Sequence, residues 1–208
     1  MELKPEELRE QGFILLDSLD HQQLIPFVQK YLKKNTSISW MYTGINIFFI
    51  AVIVYWLWKS VYVENIKFLD CFSYLSFGIF FVFLLIPIHE YIHVLAYKSQ
   101  GAQHTSYDVN WKKFYFMALA HQFVADRTEF SIVALAPFVV ITITLSLALF
   151  WANGLWHFTI LGTLTMHTAA CSGDFGILSY FYFHKDHDIV TYDDIENKIS
   201  YFYGKPKS

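Results

Sequence analysis

Charge is scarce in this chain. Only 16% of its 208 residues are Asp, Glu, Lys or Arg, against 55% hydrophobic and 20% aromatic. The formal net charge is -3, so there is no basic surface to attract nucleic acid, and none is expected as a partner. Cysteine is rarer still. Cys71 and Cys171 are the only two, both in apolar stretches, and they imply no disulfide framework. No CxxCH occurs, which removes c-type haem attachment. The first residues, MELKPEELREQGF, are acidic and polar. They lack a basic segment followed by a short apolar core, and no cleavable signal peptide is expected. Internal repeats and low-complexity segments are absent.

What the chain does have is long apolar runs. Clustered in this way, they indicate a polytopic membrane protein. The expected fold is mainly α, with about four transmembrane helices over 39–62, 71–99, 131–152 and 155–183. Trp40, Trp56 and Trp58 suit interfacial belts around the first span. Pro137 lies inside the third and is expected to kink it. The polar stretch 100–130 separates spans two and three. Tyr107, Val109 and Trp111 alternate there with polar residues, which predicts a small β-hairpin or ribbon. Residues 1–37 read as a cytoplasmic amphipathic segment. Leu16, Leu19, Leu24, Ile25, Val28 and Leu32 recur at near-helical spacing, suited either to a membrane surface or to packing on the protein itself. Residues 38–184 form the membrane-embedded domain, and 185–208 a polar cytoplasmic tail.

The second run ends in HEYIH, residues 89–93. On a helix, His89 and His93 point from one face, at the spacing that holds one zinc through two ring nitrogens. Glu90 stands beside them, where a carboxylate can take a proton from a metal-activated water. Imidazole and carboxylate groups deep in an apolar helix are costly and usually functional. The same one-face geometry is poorly suited to two axial ligands on one haem iron. A zinc transporter is disfavoured too, because four spans with one carboxylate offer little pathway.

A catalytic zinc takes three protein ligands and leaves a position open. Asp174 is the best third, being the only carboxylate in the fourth run, with Gly173 beside it to allow close backbone approach. His167, Cys171 and Asp174 fall at i, i+4 and i+7, so His167 or Cys171 can be the ligand instead. His167 can also serve as an orienting hydrogen-bond donor. Cys171 also reads as a small packing residue. His121, in the 100–130 loop, can approach the site, though a surface histidine is the plainer reading.

Lys and Arg are distributed unevenly. With four spans, thirteen fall on the side of both termini and the 98–130 loop, and only Lys59 and Lys67 on the other. By the positive-inside rule both termini are cytoplasmic. HEYIH, Pro137 and Asp174 then share one depth near the cytoplasmic face of a multi-pass cell membrane protein, as a site between helices requires.

These residues carry a resemblance. HEYIH at 89–93, AlaHis at 120–121, AlaPro at 136–137, SerGlyAsp at 172–174 and ValThrTyrAspAsp…TyrPheTyr at 190–203 resemble the putative zincin peptidases. These are small bacterial membrane proteins similar in layout to site-2-type intramembrane metalloproteases. The resemblance implies one zinc per chain on His89, His93 and Asp174, Glu90 as general base, and a membrane protein or peptide as substrate, held in part by strand addition to the hairpin. The chain has SerGlyAspPhe where site-2 proteases carry an Asn-Pro- or Leu-Asp-Gly-type motif. A non-catalytic membrane scaffold that keeps the fold is the alternative, and its mark would be a lost base or ligand.

Overall fold

A computed structural model of the protein describes residues 3–112 and 115–207. The chain is mainly helical with two antiparallel sheets. Strand β1 (Ile14–Asp20) leads through a short turn to helix α1 (Leu24–Leu32). Helix α2 (Ser37–Trp58) continues into a π-helical turn (Lys59–Val63), and α3 (Phe68–Ser99) follows. Then come β2 (Thr105–Asn110), β3 (Tyr115–Ala120), β4 (Ala125–Asp126) and α4 (Arg127–Ala148). Helices α5 (Trp156–Ala170) and α6 (Ser172–Phe183) precede β5 (His187–Asp194) and β6 (Ile199–Pro206). Among the described residues, three helices are long and apolar enough to cross a membrane: α2 with its extension (Ser37–Val63), α3 and α4.

The chain divides into two compact units. The boundaries fall inside α2 between Ser39 and Trp40, inside α3 between His89 and Glu90, inside α4 between Ala136 and Pro137, and between Ser172 and Gly173.

The first unit contains both sheets. One has the order β1-β6-β5-β4 and the other pairs β2 with β3. Its core is aromatic. Leu24, Phe27, Val28 and Tyr31 are the buried positions of α1, one turn apart on one face. Phe27 stacks on Phe202 at 5.6 Å, and Tyr31 meets Tyr180 edge-on at 4.9 Å. α4 begins on a capping box. Asp126 Oδ1 accepts from the backbone N–H of Thr128 and Glu129, and Glu129 Oε2 accepts from the Asp126 N–H, so three of the donors that a helix start leaves unpaired are satisfied.

The second unit is helical. Its part of α3 has an exposed apolar face, with Phe80, Leu84 and Ile88 about 50–68% exposed. Its other face approaches α5 closely. Thr163 Oγ1 donates to the Gly78 carbonyl at 2.9 Å and Thr159 Oγ1 to the Tyr74 carbonyl at 3.1 Å. A Cβ at Gly78 would run into the Thr159 backbone, and one at Gly162 into the Leu75 carbonyl. Small residues and hydroxyl-to-carbonyl bonds are how helices associate without a hydrophobic driving force.

Four expectations change. Residues 14–20 are a strand, so Leu16 and Leu19 belong to β1, and only Leu24–Leu32 is helical, its apolar face buried in its own unit. The 155–183 run is two helices, broken at Cys171. α5 alone has 15 residues, or about 23 Å at 1.5 Å per residue, short of a ~30 Å hydrocarbon core. The 185–208 segment is a paired hairpin in the larger sheet. A Cβ placed on Gly173 would meet no atom within 4 Å, so this glycine makes no close helix approach.

Candidate metal centre

α3 brings the HEYIH residues onto its buried side. Glu90 and His93 are buried and His89 half-buried, while Tyr91 between them is exposed. Along this one helical turn the ligand-capable atoms of His89, Glu90 and His93 lie within 4.8 Å of one another. Pro87, two residues before His89, removes one helix N–H donor just ahead of the motif.

Asp174 stands in the first turn of α6, and in the first unit it meets His93. His93 Nδ1 lies 2.9 Å from the Val133 carbonyl oxygen. A carbonyl only accepts, so Nδ1–H donates, and in the neutral imidazole Nε2 keeps its lone pair. Nε2 faces Asp174 Oδ1 at 3.1 Å, and an ionised carboxylate also only accepts. Two acceptors this close are held by a second proton on the ring or by a cation between them. Imidazole nitrogen and carboxylate oxygen are zinc donors, and a backbone carbonyl on the far ring nitrogen is the usual outer support of such a ligand. These residues fit a zinc.

In the second unit, His89 Nδ1 lies 3.3 Å from His167 Nε2, and Cys171 Sγ lies 3.8 Å from the same nitrogen. His167 and Cys171 are both buried, and the ligand atoms of His89, His167 and Cys171 lie within 4.8 Å of one another. The break at Cys171 leaves His167 on α5 and Asp174 on α6, so the i, i+4, i+7 spacing does not run along one unbroken helix.

His121 sits at the junction of β3 with the larger sheet. It bridges to Asp193, and its Nδ1 accepts from the Ile195 N–H at 3.4 Å. These contacts give it a structural place.

Sequence reasoning missed a buried polar chain in the first unit. His21 Nδ1 contacts Asp108 Oδ2 at 3.1 Å, and Lys198 Nζ donates to Asp108 Oδ1 at 2.6 Å. His21 Nε2 lies 3.3 Å from Ser200 Oγ, which donates to Asp193 Oδ1 at 2.7 Å. Asp193 Oδ2 in turn accepts from the Ala120 N–H. The chain thus ties the β2–β3 hairpin to β6. Burial pushes the Asp108 carboxyl up, but hydrogen bonds from Lys198 and His21 outweigh it and hold it below the usual carboxylate range. Asp193 moves the other way, raised by burial despite its bonds to Ser200 and Ala120. The one local signal was Asp108, polar within an alternating apolar stretch. Its partners are 87 and 90 residues away.

A family model described as Putative zincin peptidase matches residues 82–189, just over half the chain. No curated protein and no solved structure matches it.

Proposed function

We propose a zinc-dependent peptidase working at a membrane, starting from the fact that the chain belongs to the Putative zincin peptidase family. One observation carries the reading: His93 Nε2 and Asp174 Oδ1 face each other at 3.1 Å while the Val133 carbonyl takes the other ring nitrogen. His89, His93 and Asp174 would hold one zinc. When bound, zinc supplies Lewis acidity and a water that ionises near neutral pH. Glu90, buried beside the histidines, is the general base. It takes a proton from the attacking water and returns it to the leaving amine. Val133 fixes the His93 tautomer. The three apolar helices bring the site to a bilayer, so the substrates are peptide bonds in or near membrane segments, locally unwound so that the amide is reachable. The β2 strand is the candidate to hold such a segment by strand addition.

Strand pairing supports the expected orientation. β1 pairs with β6 and β4 with β5, so both ends of the chain and the start of α4 share one side. Two chain ends on one side require an even number of crossings. α2, α3 and α4 make three, and the fourth would fall to α5, whose shortfall against the hydrocarbon core local thinning of the bilayer would meet. The Lys and Arg on that common side then put it in the cytoplasm. Lys113, part of that count, lies outside the described residues.

The test pairs metal with turnover. Purified wild type is expected to hold about one zinc per chain by elemental analysis and to cleave a quenched fluorogenic peptide library in detergent. Glu90→Gln should keep the zinc and lose cleavage. His93→Ala and Asp174→Ala should lose cleavage, and on a Cys171→Ser background they should lose the zinc as well. Cleavage by Glu90→Gln at the wild-type rate would remove the base from the mechanism.

A further inference from the structure

We propose that His89, His167 and Cys171 form a second, thiolate-containing site for a borderline-soft divalent cation such as zinc or cobalt. All three belong to the helical unit. The site's existence does not depend on the peptidase reading; only its consequence does.

The distances carry the argument. A tetrahedral ion with nitrogens at about 2.0–2.1 Å and sulfur at about 2.3 Å sets its ligands about 3.3–3.4 Å apart for N···N and about 3.6 Å apart for N···S. His89 Nδ1 to His167 Nε2 is 3.3 Å, and Cys171 Sγ to His167 Nε2 is 3.8 Å. Hydrogen bonds from N–H to oxygen centre near 2.9–3.0 Å, shorter than this nitrogen-to-nitrogen separation. The spacing is therefore closer to the edges of a coordination tetrahedron than to a hydrogen-bonded trio. Burial agrees. His167 is 2% exposed and Cys171 0%, so a thiolate formed there needs a cation, which a metal provides as it displaces the thiol proton. Two imidazoles with one thiolate select metals of the zinc and cobalt class over magnesium or calcium.

The local fold explains why the three meet. His167 and Cys171 are one turn apart at the end of α5, and the close crossing at Gly78 and Gly162 sets α5 against α3. A neutral imidazole has one lone pair. His89 can therefore serve the thiolate set through Nδ1 or the set with His93 through Nε2, but not both at once. An ion in the thiolate set withdraws His89 from the catalytic set and is a resting state.

Cobalt is the probe. Full-length protein in detergent, stripped with chelator and loaded with Co2+, should show a near-ultraviolet thiolate-to-cobalt charge-transfer band. The band should disappear in Cys171→Ser and in His167→Ala. It should persist in Cys71→Ser, which removes the only other thiol, and in His93→Ala. Absence of the band in wild type, its survival in Cys171→Ser, or its loss in His93→Ala would each overturn the proposal. Failure of the peptidase reading shows separately, as full zinc content in His93→Ala and Asp174→Ala on a Cys171→Ser background.

Discussion

Replacing Gly78 tests the helix crossing that sets His89 against His167. A methyl at Gly78 would meet the Thr159 carbonyl oxygen, carbon and Cα, all backbone. No side chain can swing aside, so α3 and α5 must separate. Overpacking of this kind costs about 1–3 kcal/mol. Separation also stretches the bonds from Thr163 to the Gly78 carbonyl and from Thr159 to the Tyr74 carbonyl, each worth about 0.6 kcal/mol within a membrane protein. Gly78→Ala should therefore destabilise by roughly 2–4 kcal/mol. Gly44 in α2 is the matched control, because nothing lies within 4 Å of its Cβ position. Gly44→Ala should be neutral or stabilise by up to about 1 kcal/mol through helix propensity. The protein supplies its own reporter. Cys71 and Cys171 are its only thiols and both are 0% exposed. A thiol-reactive dye in detergent reads unfolding as those thiols emerge. Gly78→Ala should give an earlier midpoint than wild type and Gly44→Ala should not. Equal midpoints for the two variants would refute the close crossing.

Other outcomes follow from single contacts. Tyr180 is fully buried with its hydroxyl unpartnered among the described residues. Tyr180→Phe should therefore match wild type or gain up to about 1–2 kcal/mol, read by the same dye assay. Asp126→Ala removes the acceptor that caps α4 and should cost about 1 kcal/mol, while Asp126→Asn should recover most of it. Asp108 is held below the usual carboxylate range, so its contribution is present above the ordinary carboxylate pKa and is lost as pH falls through the lowered folded value. Wild type should accordingly exceed Asp108→Asn in stability at pH 7, with the gap closing in acid unfolding below about pH 4.

Much of the candidate site was legible because its pieces are local. HEYIH is a pattern of five residues on one helix, and its spacing alone sets two imidazoles on one side. Asp174 could be picked out as the single carboxylate in an apolar run. The Val133 carbonyl could not, since a backbone oxygen 40 residues away leaves no mark on the sequence. The three long helices were legible for a similar reason, hydropathy being a sum over neighbours. That same sum hid the break at Cys171. Residues on both sides are apolar, so 155–183 read as one span, and the turn that divides it is a backbone event at Cys171 with φ -65° and ψ 9°.

The sheet was the least legible part, and the reason is contact distance. β1 and β6 pair Ile14 with Gly204 across nearly the whole chain. β1 is seven residues beginning IleLeuLeu, whose apolar run mimics the start of a helix until its partner is known. The last hairpin reads as a polar tail because its charged residues cluster at its open end and at its turn. There Asp194 accepts from the Asn197 backbone and side chain, while Ile189, Val190, Phe202 and Tyr203 along the strands are buried. Its aromatic ladder, with Tyr192 against Tyr201 at 5.2 Å and Tyr203 at 6.0 Å, is the cross-strand signal that could have identified it. That pairing bears on function as well as fold. β5 also pairs with β4, and β4 runs directly into the capping box that starts α4, the helix whose Val133 carbonyl fixes His93. A segment that reads as a polar tail in the sequence thus anchors the helix that orients a proposed zinc ligand.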